Sequence, residues 1–382
     1  MPRPPRTVAS RSAGVQRGTI PASTNRMFRS LAVWVAVVMS GSTSVASAVV
    51  SEQSPQAPPK AAVRADAIAR AHVWIPTDVR SMDITAGPQE PGAFPFLATV
   101  TCDYVPKELS GKSPKFVCLS GQDEMTVKYG SDNAEVYGEV GATRLLWALG
   151  FGADRTYPVQ VICRGCPSRL GGTPGPSDEM TFNPATIERK MPGRVLYGSW
   201  SWDELNKVKE EGGGAPQAHR DALKLLAVFL QHTDSKSQQQ RIECLDLLDE
   251  TPEACGQPLM MINDLGLTFG RANTFNSNNQ GVHLVAWASR PIWKPGDGCV
   301  ANLPKSWTGT LSNPVISEAG RAFLADLLSQ LSEDQIRALF EVSRVALRLR
   351  DPGKPQSGLS TVDEWADVFT RKRAEIVEKR CG

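Results

Sequence analysis

The sequence predicts an α+β chain of two lobes, a β-rich N-terminal lobe and a mainly helical C-terminal lobe, and three features carry that expectation. From about residue 94 to residue 129, short runs rich in β-branched and aromatic residues alternate with turn residues. Residues 221–230, Asp-Ala-Leu-Lys-Leu-Leu-Ala-Val-Phe-Leu, form a strongly apolar helical stretch. The C-terminus holds at least three helical patterns, two of them opened by the capping boxes Ser332-x-x-Gln335 and Thr361-x-x-Glu364. Strands gathered in one half and helices in the other are what an α+β architecture requires.

Taken in order, strands are expected at residues 96–102, 115–119 and 124–129, the first two separated by a Gly/Ser/Lys-containing turn at 109–114. Asp132 or Asn133 can cap a helix over 134–149, where Val136, Val140, Leu146 and Trp147 recur on a helical period and Gly150 ends the run. A strand follows at 158–163, then a Gly/Pro-rich loop over 165–178. After the apolar helix comes a polar stretch at 231–236, and two more strands are expected at 241–245 and 258–262.

The N-terminus reads differently. Residues 1–26 are rich in Arg, Pro, Ser and Thr, and a basic segment at Met27-Phe-Arg-Ser30 precedes the apolar run Leu31 to Met39. Small residues ending in Ala46-Ser-Ala48 complete the pattern of a secretory signal peptide cleaved after Ala48. The apolar run falls short of the ~20 residues a membrane span needs, so no stable span is expected after cleavage. The chain therefore divides into an extension and signal peptide at 1–48, a linker at 49–92, an N-lobe at 93–200 and a C-lobe at 201–382, with export to a periplasmic or extracellular compartment. The placement of Met27 also suits translation starting there.

Composition bounds the function. Hydrophobic residues make up 41% and charged residues 21% of 382, enough for a real core, and a net charge of +2 gives no reason to expect nucleic acid as a partner. The eight cysteines are even in number, which in an exported chain points to disulfides. Spacing offers Cys102–Cys118, Cys163–Cys166 and Cys244–Cys255, with Cys299–Cys381 left by elimination, although sequence alone does not fix connectivity. Cys163-x-x-Cys166 has zinc-knuckle spacing, but no second such pair completes four ligands, and His72, His219, His232 and His283 are scattered. No G-x-S-x-G, H-E-x-x-H or Walker A sequence is present.

Three segments fit one chemistry. Phosphoryl transfer needs a cation on the phosphates, a carboxylate to hold that cation, carboxylates for Mg²⁺ and a base near the acceptor. Lys128 sits at the end of a strand, and Glu139 lies in the following helix, where it could pair with it. Asp234 and Lys236 follow the apolar helix as candidate base and charge-neutralising cation. Asp264 ends an apolar strand with Gly266 two residues on, which suits a metal-binding carboxylate. Taken singly, Lys128 reads as a surface strand lysine, Glu139 as a solvated helix residue, Asp264 as a turn cap and His232 as structural.

The order Lys128, Glu139, Asp234-x-Lys236, Asp264-x-Gly266 resembles the protein-kinase-like superfamily over roughly residues 95–270. Ser113-Pro114-Lys115 and Glu139…Arg144-Leu145…Leu149-Gly150-Phe151 are most similar to its HipA-like bacterial branch, with the spore-coat CotH kinases and phosphatidylinositol kinases more distant. The resemblance implies a protein-kinase-like fold, ATP between the lobes near Lys128, Glu139 and Lys115, catalysis by Asp234 and Lys236, and Mg²⁺ on Asp264. The family pattern D-x-K-x-x-N puts Asn at the second metal-ligand position, where this chain has Gln239, so the resemblance implies Mg²⁺ on Gln239 as well, through the same amide oxygen on an arm one methylene longer. Two functions stay open: an exported Mg-ATP-dependent phosphotransferase whose acceptor (protein, lipid or small molecule) is unnamed, and an inactive kinase-like module that binds a nucleotide or a partner.

Overall fold

The computed structural model describes residues 60–166, 179–195, 197–246, 255–270, 280–296 and 298–382. The expected signal peptide, and all but the first two residues of the Gly/Pro-rich loop, lie outside these residues. Five strands, β1 (Ala98–Val105), β2 (Lys115–Ser120), β3 (Asp123–Tyr129), β4 (Arg155–Arg164) and β5 (Glu179–Arg189), pair in the order β1-β2-β3-β5-β4 and close on themselves. Every pairing is antiparallel except β1 with β4, which is parallel and sets Cys102 beside Cys163. Alternate side chains point inward, and Val100, Phe116, Met125, Val127, Tyr157, Val161 and Ile187 make a core of their own.

Helix α2 (Glu135–Ala148) is buried on nearly every face and belongs to the second, larger core. Its apolar residues therefore run all round the helix rather than along one stripe, as a helix enclosed on all sides requires. That core also takes residues from α1 (Lys60–Ala69), α3 (Gln217–Phe229), α4 (Leu284–Ser289), α5 (Glu318–Ser329), α6 (Glu333–Val342) and α7 (Val362–Glu378), with strand and loop residues such as Ile242, Met260 and Phe269 between them. An aromatic cluster is its centre: Trp287 and Trp365 stack with ring centroids 5.5 Å apart, Phe340 stacks on Trp365, and Phe229 meets Trp287 edge-on. Both expected capping boxes form, at Ser332/Gln335 and Thr361/Glu364.

A small sheet of β6 (Arg194–Val195), β7 (Gln240–Cys244) and β8 (Pro258–Ile262) completes the strands. The 49–92 linker expectation fails from residue 60 on. That stretch carries α1, and Ile68, Ala71, Val73, Val79 and Ile84 are buried in the main core. Arg64 anchors the helix through both oxygens of Glu204 (2.9 Å each), and its apolar residues need the distant partner surface to be recognised as core. All eight cysteines pair, in the three combinations that spacing offered and the fourth left by elimination. No helix among the described residues is long and apolar enough to cross a membrane.

Candidate active site

The β7–β8 hairpin positions the centre of the site. Its register pairs Gln240 with Ile262, so the residues before β7 and those after β8 lie side by side, and the Asn263 amide donates to the Gln239 carbonyl at 2.9 Å. The first of these segments begins where α3 stops. Gln231 takes a left-handed φ of 54°, and the amide of His232 folds back to the Ala227 carbonyl. The chain then leaves the helix axis and presents Asp234. Lys236 Nζ donates to both Asp234 oxygens, at 3.0 and 2.7 Å, and Gln239 Nε2 donates to Oδ2 at 2.8 Å. With its nitrogen turned to Asp234, the Gln239 side chain keeps its oxygen for another partner.

On the second segment, Asp264 accepts from the Gly266 amide at 3.1 Å. Burial raises its carboxyl pKa, but Lys128, the Gly266 amide, His232 and Lys236 outweigh burial and hold it below the usual value. Asp264 therefore stays ionised at neutral pH.

Lys128 comes from β3 and meets Glu139 of α2 in a direct ion pair, with Glu135 also 3.2 Å from its ammonium. The two are 6% and 2% exposed, so neither is the solvated residue it resembles when taken singly. Burial works against the Lys128 charge, yet Glu139, Asp264, Glu135 and Glu188 together push its pKa well above the ordinary value. Glu139 is pushed up by burial, against the pull of Lys128, and its Oε2 has no hydrogen-bond partner. A buried carboxylate oxygen without a partner in a surplus of negative charge is a setting that favours an added cation. Glycine makes this approach possible: a Cβ on Gly138 would lie 2.9 Å from the Gly266 carbonyl oxygen, so α2 packs directly on the backbone that follows Asp264.

Lys115 lies directly across the ladder from Lys128. Both line a cavity of about 720 Å³ together with Lys236, Gln239, Asn263 and Asp264. Asp234 stands behind Lys236 and Gln239, and Glu139 behind Lys128. All seven residues singled out from sequence thus converge on one cavity or on its immediate wall.

Sequence reasoning passed over several others. Glu135 was detectable, being four residues before Glu139 and so on the same helix face. Ser113, in the β1–β2 loop, donates to Glu135 and ties that loop to the Lys128 cluster. Glu188 and Lys190 border the cavity at the exit of β5, where Lys190 bonds Asp154 (3.0 Å) and Asp154 in turn accepts from Arg241 (2.9 Å). That link joins β4, β5 and β7, and no local pattern announces it. His232, read from sequence as structural, is fully buried, and its two ring nitrogens have no hydrogen-bond partner among the described residues. Burial lowers its pKa and keeps it neutral.

No protein-family model matches the chain, and no curated protein matches it. Among solved structures it is similar to the crystal structure of a Helicobacter pylori proinflammatory kinase, CtkA. That likeness has 10% identity and a TM-score of 0.39, over 75% of this chain and 95% of the other.

Proposed function

We propose that the chain is an exported, two-lobed kinase-like phosphotransferase of HipA-like type that uses Mg-ATP. The observation that supports this most is the convergence on one cavity of a buried Lys128–Glu139 pair, an ionised Asp264 and an Asp234 held by Lys236 and Gln239. Lys128, kept charged, meets the phosphates, with Lys115 beside it. Asp264 and the free oxygen of Gln239 are the residues that would hold Mg²⁺, and the orphaned Glu139 Oε2 marks the same region as short of positive charge. Mg²⁺ held by these residues would neutralise phosphate charge. Asp234 accepts the proton of the acceptor hydroxyl, and Lys236 offsets charge on the transferred group. Export is supported by the pairing of every cysteine, which suits an oxidising compartment.

One observation favours the second reading, an inactive module that binds a nucleotide or a partner. Both oxygens of Asp234 are already engaged by Lys236 and Gln239, so the base must give up bonds before it can act. The deciding experiment uses the chain from residue 49 with disulfides intact. Mg-ATP at 100 times its Kd is expected to stabilise it by about 2.7 kcal/mol, a shift that Asp264→Ala removes. A stable sample with no shift for any nucleotide ends the enzyme reading. A shift without transfer of labelled phosphate to any acceptor or to water supports the binding module.

A further inference from the structure

Residues 305–311 are fastened to the segment that carries Asp234. Ser306 Oγ donates to the Thr233 carbonyl at 2.6 Å and accepts from the Gly309 amide at 3.0 Å, closing a tight turn. Beyond the turn, Thr310 donates to the Ser235 carbonyl through its amide (3.1 Å) and its hydroxyl (2.8 Å), and the Leu311 amide donates to Ser235 Oγ at 3.2 Å. These anchors grip the residues on either side of Asp234. The turn is built for glycine at 309, because a Cβ there would lie 2.5 Å from Ser306 Oγ and 2.8 Å from Ser235 Oγ.

At the tip stand Trp307 and Thr308, both exposed. Trp307 is 77% exposed, whereas Trp200, Trp202, Trp287 and Trp365 are buried at 2% or less. One scattered apolar residue on a surface needs no explanation. An indole left in water on a turn fixed to the candidate catalytic loop is a different case, because the backbone that carries it is tied to the residues on either side of Asp234. Counting one residue step on each side of the Ser306–Thr233 bond, the two Cα atoms are at most about 15 Å apart. Two side chains and one ring of ligand between them span that distance.

We infer that Trp307 is the acceptor-positioning residue, and that the acceptor is a sugar whose ring lies on the indole while one hydroxyl meets Asp234. This rests on the phosphotransferase reading and names its substrate class. The acceptor must offer a hydroxyl and a flat face with polarised C–H groups that suit the negative face of an aromatic ring. A pyranose carries both in one unit, and Lys305 and Thr308, exposed on the same turn, offer donors and an acceptor for its remaining hydroxyls. In the step itself the sugar oxygen bonds the γ-phosphorus of the nucleoside triphosphate. The bond from that phosphorus to the bridging oxygen breaks, the nucleoside diphosphate leaves with its electron pair, and the hydroxyl proton passes to Asp234.

The test uses maltose, N,N′-diacetylchitobiose and methyl galactoside as probes on the disulfide-intact chain. In acrylamide quenching of tryptophan emission, the difference between the parent and Trp307→Ala isolates the Trp307 component from half-buried Trp74 and Trp147, and a bound sugar protects that component. With Mg-ATP, Trp307→Ala raises the half-saturating sugar concentration about tenfold, equivalent to 1.4 kcal/mol, and Trp307→Phe restores most of the loss. A sugar phosphorylated equally well by the parent and Trp307→Ala overturns the positioning role. Protection by a tyrosine-containing peptide and by none of the sugars overturns the substrate class, and protection by no probe overturns the inference. The Asp264→Ala nucleotide shift, read on the same samples, reports separately on the phosphotransferase reading.

Discussion

Lys372 lies on α7, 2% exposed, with its ammonium donating to the Arg290 carbonyl and standing 5.5 Å from the Trp287 ring centre. Burial drops its pKa from 10.5 to about 8, with Glu375 opposing and Arg290 and Arg371 adding to the fall. Below pH 8 both folded and unfolded chains carry the proton, so the cost of burying the charge is fully present. Between pH 8 and 10.5 the unfolded chain holds the proton that the folded chain has released, and stability from this group rises with pH. The full cost is on the order of 3 kcal/mol. Lys372→Met is therefore expected to stabilise the protein at pH 7 by about 1–2 kcal/mol, since it also gives up the Arg290 and Trp287 contacts. The gain shrinks toward pH 10, and urea unfolding across pH reads it; a parent more stable than the variant at pH 7 contradicts the argument. The same logic explains what was legible at this scale. Lys128, Glu139 and Asp264 could be named from their order along the chain. Their burial could not, because exposure belongs to the packing of α2 on the backbone after β8 and not to any one residue.

At the scale of elements, α2 is the part on which the site depends. It carries Glu135 and Glu139, and Gly138 lets it rest on the Gly266 carbonyl. Gly138→Ala forces a methyl group to 2.9 Å from a backbone oxygen that cannot rotate away. The expected result is a loss of about 1–3 kcal/mol, with a weaker Mg-ATP shift because the Asp264 segment is displaced. An unchanged shift in a destabilised variant would mean that α2 and the Asp264 segment are not coupled. Elements with a local signature were read correctly: β1, β2 and β3 from alternation and turn residues, α6 and α7 from their capping boxes. Strand β5 was missed because Asn183 and Pro184 interrupt it, and proline in a run argues against a strand. Strand β6 is two residues long, and α1 follows a Pro- and Gln-rich stretch that masks it.

Across the whole molecule, the Cys299–Cys381 bridge ties the C-terminus, 82 residues on, back to the segment just before the Trp307 turn. A closed loop of that length removes much freedom from the unfolded chain, and Cys381→Ser is expected to cost about 2–5 kcal/mol. Calorimetry with and without reductant reads it, and a variant as stable as the parent would count against the loop argument. Cysteine number and spacing offered the pairings, but the closure of the five-strand ladder had no local trace, since the parallel contact of β1 with β4 joins segments far apart in sequence. That closure also decides how the protein can meet other chains. A closed strand order gives each strand of the ladder a neighbour on both sides, so no strand there offers its whole edge to a foreign strand. In the small sheet, β8 is flanked by bridges to His72 and Ala153, leaving the two-residue β6 as its other border. A peptide that binds other proteins by adding a strand, or a misfolded neighbour seeking a template, meets no whole strand edge in the closed ladder and only a two-residue strand at that border of the small sheet.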